Sequence, residues 1–216
     1  MRRKGLDLRV LLSLLVFVVI AGGIALLTVG GSSAQRAKST QAKQSSFDAA
    51  GVLSPVESVP PLALHNYLGQ PVNIDSYLGK AVLVTFLYTH CPDVCPLIAS
   101  NLRVAQNLMG PTVSSKVQII TVSVDPRGDT PKAVAAFLAR HEMTGRMQYL
   151  TGTASQLAPV WKAWGVGSER DNQNPELVNH SGLIYGITAS GKRLTIYAAS
   201  FRPAEIAHDV PLLAAR

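Results

Sequence analysis

AVLVTFLYTHCPDVCP, residues 81–96, decides the fold. Its first eight residues form an apolar run rich in β-branched and aromatic side chains, the pattern of a strand buried on both faces. The run leads into a loop carrying both cysteines of the chain, Cys91 and Cys95, each followed by a proline. A residue ahead of proline is disfavoured in the α region. The loop therefore reads as stiff, with a helix beginning at Pro96 and Cys95 at or beside its N-cap. The partial positive charge of that helix end favours a thiolate on Cys95.

Working outward, PVNI at 71–74 suggests a short strand before the central run. Leu97, Ile98, Leu102, Ala105, Leu108 and Met109 share one face of a helix over 97–109. VQIITVSV at 117–124 is a second buried strand. DPRGDTP at 125–131 then ends in Thr130 as N-cap and Pro131 in the first helical turn. A helix over 132–143, a short strand near 147–151 and a helix near 154–164 follow. Residues 182–189 and 192–199 read as a hairpin turning at Ser190-Gly191, and 203–215 as a last helix interrupted by Pro211. This order implies an α/β fold, a central mixed sheet flanked by helices, compatible with a thioredoxin-like core. The cysteine loop then lies at the carboxyl end of the first central strand, where sites in open sheets tend to form.

The net charge of the 216-residue chain is +7. Residues 1–50 hold seven Lys/Arg against two Asp/Glu, leaving thirteen against eleven over 51–216. The folded part is nearly neutral, which argues against nucleic-acid binding, since that needs a basic face on the domain itself. The basicity flanks residues 10–29, twenty residues without a charge, about the length of a membrane-spanning helix. Arg2, Arg3, Lys4 and Arg9 on the N-terminal side place residues 1–9 in the cytoplasm. A cleaved signal peptide ending near Ser32 and Ala34 is the alternative, but its apolar core runs only about 7–15 residues. Residues 30–50 are rich in Gly, Ser, Ala, Gln and Lys and read as a flexible linker. A folded domain over 51–216 then lies outside the cytoplasm, most simply at a bacterial cytoplasmic membrane.

Three readings of the two thiols compete. A structural disulfide across so short a loop stabilises little. A dithiol–disulfide pair is the second, although redox pairs of this fold usually have two residues between the cysteines. The third is a soft-metal site completed by a third ligand, and two thiolates with an imidazole suit copper. Of the five histidines, His65 reads as a surface or turn residue, and His141 and His208 fall on predicted surface helices. His90 adjoins Cys91, and alternation along an extended chain turns its side chain away from that thiol. His180, in LVNHSGLIYGI, enters a buried strand after the polar loop 165–176. In a thioredoxin-like layout that entry passes close to the cysteine loop.

With these residues in view, the sequence resembles the Sco/SenC family of membrane-anchored copper-binding proteins. The resemblance rests on THCPDVCP after a buried strand, VSVDPRGDTP after the second strand, NHSGLIYG, and the single N-terminal anchor. It implies a thioredoxin-like fold, copper as the bound ion, and Cys91, Cys95 and His180 as its ligands. It also implies a role in assembling the binuclear copper centre of cytochrome c oxidase, with the copper-bearing subunit as partner. Two positions depart from the family pattern. Asn179 stands where an aspartate often precedes the histidine, which weakens a contact that would orient the ring, and Ser190-Gly191 stands where Asp-Gly often turns the hairpin.

Asp125 and Asp129 read as strand-ending and helix-capping residues, and Asp93 as a solvated neighbour of the loop. Trp161 and Trp164 read as core or groove residues of one helix. The nearest rivals to a copper chaperone are a thiol–disulfide oxidoreductase and a copper or redox sensor using the same residues. A peroxiredoxin-type peroxidase lacks the proline and threonine it needs ahead of Cys91.

Overall fold

The computed structural model describes residues 46–170, 172–173 and 177–216. The basic segment 1–9, the expected span at 10–29 and linker residues 30–45 lie outside the described residues. Among the described residues no helix is long and apolar enough to cross a membrane. Packing begins ahead of Gly51. Phe47 is buried, and the backbone N–H groups of Asp48 and Ala49 both donate to the Asp209 carboxylate, at 2.8 and 2.9 Å. The last residues of the expected linker are thus part of the folded body, because an aromatic ring and a buried carboxylate hold them.

The strands are β1 (Gly51–Ser58), β2 (Ala63–Asn66), β3 (Pro71–Asn73), β4 (Ala81–Leu87), β5 (Val117–Ser123), β6 (Met147–Thr151), β7 (Glu169–Arg170), β8 (Val178–Asn179), β9 (Ile184–Ile187) and β10 (Lys192–Tyr197). The α-helices are α1 (Val94–Ser114), α2 (Pro131–Arg140), α3 (Ala154–Trp164) and α4 (Pro203–Ala214). One mixed sheet runs β1-β10-β9-β4-β5-β6-β2-β3. Its centre, β4-β5-β6, is parallel, and β9 joins β4 antiparallel. Every residue of β4 is buried, as its unbroken apolar run demands. Trp164 of α3 stacks against Phe86 and Tyr185 on one face. On the other, Phe137 of α2 meets Tyr149, and α1 packs against α4. This is the mixed sheet flanked by helices that the pattern implied.

Three local expectations change. Helix α1 starts at Val94, with Asp93 as N-cap, rather than at Pro96. Pro96 is tolerated because the first-turn N–H groups of a helix have no intrahelical partner to lose. The same helix is interrupted at Gly110, whose φ of 67° is left-handed, and a short turn follows from Pro111. Helix α4 runs through Pro211 without a break. Strands β1 and β2, at or near the sheet's margins, carry no strong apolar alternation and were not foreseen.

Candidate metal centre

Strand β4 delivers the cysteine loop. Tyr88 and Thr89 follow its last residue, and the chain turns at the Cys91 N–H, which donates to the Tyr88 carbonyl at 3.4 Å. The Cys95 backbone N–H donates to Cys91 Sγ at 3.4 Å. It is therefore Cys91, outside the helix, that receives the N-terminal amides of α1, while Cys95 sits within the first turn. This reverses the expectation that the helix end favours the Cys95 thiolate.

Both cysteines are free thiols and buried. The Cys95 thiol donates to Cys91 and holds the Cys91 pKa down at about 5, helped by the N–H groups of Asp93 and Cys95 and by the Tyr88 hydroxyl against the opposing effect of burial. The same shared proton, then burial, push the Cys95 thiol strongly up. At neutral pH the pair is one thiolate and one thiol, joined by an S–H···S⁻ hydrogen bond.

His180 reaches this pair from the far side. Its Nε2 lies 3.8 Å from Cys95 Sγ, and its Nδ1 sits 3.2 Å from the Ser181 carbonyl. The carbonyl accepts a hydrogen bond from the Nδ1–H, which leaves the Nε2 lone pair facing the thiol. A backbone oxygen thus does the orienting work that Asn179 was expected to weaken, and Asn179 itself is exposed. Burial lowers the His180 pKa, so the ring is neutral at pH 7.

Metal–sulfur and metal–imidazole bonds of about 2.3 and 2.0 Å, meeting at about 120°, set their donor atoms roughly 3.7 Å apart. The 3.8 Å between Cys95 Sγ and His180 Nε2 matches that span. Among the described residues no cluster of three His, Cys, Asp or Glu is already gathered for a metal. Cys95 and His180 are two donors at that spacing, while the Cys91 sulfur is turned to the helix amides.

The other candidates stand apart. His65 is exposed on β2. His90 is exposed and pairs with Thr89 Oγ1 at 3.1 Å. His141 is not a free surface residue, since it stacks on Phe137 with centroids 4.6 Å apart and pairs with Ser100. His208 lies 2.7 Å from Asp209 Oδ1. Asp93 is exposed. Thr130, not an aspartate, caps α2. Asp129 is a buried acceptor under the loop, taking the Thr89 N–H at 2.7 Å, the Ser123 hydroxyl at 2.6 Å and the Tyr149 hydroxyl at 2.9 Å. Burial raises its pKa. Asp125 accepts the Arg127 N–H at 3.2 Å, closing the turn.

One residue at the site escaped the sequence. Tyr88 is buried, its hydroxyl accepts the Val178 N–H at 3.4 Å, and its ring meets His180 edge-on at 5.7 Å. A phenol at the end of a buried apolar strand was the available signal, because its polar tip needs a partner.

The fold is that of a thioredoxin-like domain, with two thiols and an imidazole brought together at the carboxyl end of β4. The SCO1/SenC family model matches residues 54–215, and the chain belongs to that family. It is 29% identical over 154 residues to the human mitochondrial SCO1 homolog, covering 69% of this chain and 50% of that protein. The chain spans about half the length of the first mammalian relatives it matches. Bradyrhizobium japonicum ScoI with copper bound superposes with a TM-score of 0.63 at 28% identity, over 72% of this chain and 99% of that one. Apo Sco1 from Thermus thermophilus gives a TM-score of 0.66 at 26% identity, over 80% and 99%.

Proposed function

We propose that this chain is a copper chaperone held at the outer side of a bacterial cytoplasmic membrane. In this reading Cys91, Cys95 and His180 bind a copper ion, and the cargo passes to the copper-bearing subunit of cytochrome c oxidase during assembly. The single observation that carries the reading is the His180 imidazole, its lone pair aimed at Cys95 across the span of a shared ion. The copper-bound Bradyrhizobium relative supports the choice of metal. Residues 10–29 serve as the anchor, and tethering raises the effective concentration of the domain near membrane targets.

The chemistry follows from the donors. Cys91 is already a thiolate at neutral pH and engages the ion first. Cys95 then gives up its proton to the solvent, and neutral His180 closes the set. A site with three ligands leaves an open position, so an incoming thiolate of a target forms a mixed complex before the chaperone's ligands depart. The His180 arm is the natural gate. Among the described residues its strand β8 pairs with the two residues of β7.

The experiment is a copper titration of the full chain, reduced and free of oxygen. One equivalent is taken up with thiolate-to-copper absorption, and each of Cys91→Ala, Cys95→Ala and His180→Ala abolishes tight binding. Wild-type protein without tight binding sinks the reading.

The depressed pKa of Cys91 beside a protonated Cys95 favours one alternative, a thiol–disulfide reductase. There the Cys91 thiolate attacks a target disulfide and releases one target thiolate. Cys95, deprotonated, then displaces the second target thiolate and leaves an oxidised Cys91–Cys95 pair. His180→Ala separates the two, keeping reduction but losing copper.

A further inference from the structure

Tyr88 ties the cysteine loop to the arm that carries His180. Its carbonyl accepts the Cys91 N–H at 3.4 Å. Its hydroxyl oxygen accepts the N–H of Val178, two residues ahead of His180, at 3.4 Å, and its ring lies edge-on to the His180 imidazole. Val178 is buried, so its N–H must be satisfied inside the protein, and the phenol oxygen accepts it. The arm is also held by the two-residue pairing of β8 with β7, and ahead of it the Ser168 hydroxyl donates to the Val124 carbonyl at 2.9 Å.

We infer that Tyr88 is a positioning residue for metal capture, its hydroxyl fastening the His180 arm to the cysteine loop. The inference rests on the copper reading above and adds to it a residue that binds no metal. A phenylalanine at 88 keeps the buried ring and its edge contact with His180. It removes the acceptor for Val178. Losing one hydrogen bond that orders a ligand lowers affinity by about three- to tenfold.

The test compares reduced full-length wild type and Tyr88→Phe, titrated with copper(II) without oxygen, and follows amide exchange at Val178 in the metal-free proteins. Weaker binding by about three- to tenfold together with faster Val178 exchange bears the inference out. Unchanged affinity and unchanged Val178 exchange in Tyr88→Phe overturn it and leave the copper reading standing. Wild-type protein that takes up no copper sinks the copper reading and this inference together. Should Tyr88→Phe fail to fold, 3,5-difluorotyrosine at position 88 serves instead. Its oxygen is a weaker acceptor, so Val178 exchange speeds up and copper affinity falls, and no change in either overturns the inference.

Discussion

The Nε2 atom of His180 stands 3.8 Å from the Sγ of Cys95, although 85 residues separate them. The contact depends on β9 lying beside β4, because the strand that follows His180 and the strand that precedes Cys91 are neighbours in the sheet. Everything proposed about the chain's chemistry follows from that adjacency and from how protons are shared around it.

Copper uptake releases one proton at pH 7. Cys91, at about 5, has none to lose, His180 is neutral, and only Cys95 must give one up. Below pH 5 Cys91 is protonated in the free protein, and the release grows. Dye-reported proton counts during anaerobic titration check both values; two protons at pH 7 contradict the shared-proton pair.

Alkylation distinguishes the thiols. Iodoacetamide at pH 7 labels Cys91 first, and in Cys91→Ser the remaining Cys95 reacts slowly because it is buried, and burial alone still favours its protonated form. Mass spectrometry of the time course reads the order. The same depression links to stability. The folded Cys91 pKa of about 5 lies below its usual 9, so its contribution is full above pH 9 and lost as pH falls toward 5. Wild type minus Cys91→Ser, in urea unfolding across that range, shows a difference that grows with pH.

Asp129→Asn destabilises by about 2–4 kcal/mol, because an amide group replaces one oxygen of a buried acceptor that takes three donors. The Thr89 N–H bond ties this carboxylate to the end of β4, so the change also loosens the cysteine loop and weakens copper binding. Urea unfolding gives the first effect, and copper competition the second.

Asp209→Asn removes about 3 kcal/mol and frees the segment ahead of β1. Asp209 is fully buried and accepts the N–H groups of Asp48 and Ala49 and the Tyr197 hydroxyl. Amide exchange at Asp48 and Ala49 accelerates before global unfolding, while copper affinity, set at the cysteine loop, holds. Uniform acceleration across the sheet argues against a local clamp.

Alanine at Gly128 disturbs the turn beside the site. A β-carbon there falls 2.3 Å from Asp125 Oδ2 and 3.1 Å from His90 Nδ1, so the loop after β5 must shift. Lower stability with altered NMR shifts at Asp125 and His90 is the expected result. A spectrum unchanged at both residues contradicts the contact.

The central strands, their helices and the cysteine loop were legible because long apolar runs and proline punctuation are local signals. Strand β1, GVLSPVES, was not, since it carries a proline and is largely exposed. The division of labour between the cysteines was also hidden. Which sulfur meets the helix amides depends on the angle at which the loop enters α1, and two prolines alone do not set it. Tyr88 was invisible as a site residue because the partner of its hydroxyl, Val178, lies 90 positions away. Asp209 sat in a helix that looked like surface, and only the returning N-terminal segment makes it a core acceptor.

The guanidinium of Arg216 lies over the ring of Phe47, 4.6 Å from its centroid. The start and finish of the folded body therefore share one corner. A purification tag appended after Arg216 crowds the point where the N-terminal segment enters. A short peptide bridging the two positions permits a circular permutant opened at Ser190-Gly191, with the cysteine loop and His180 arm left uncut.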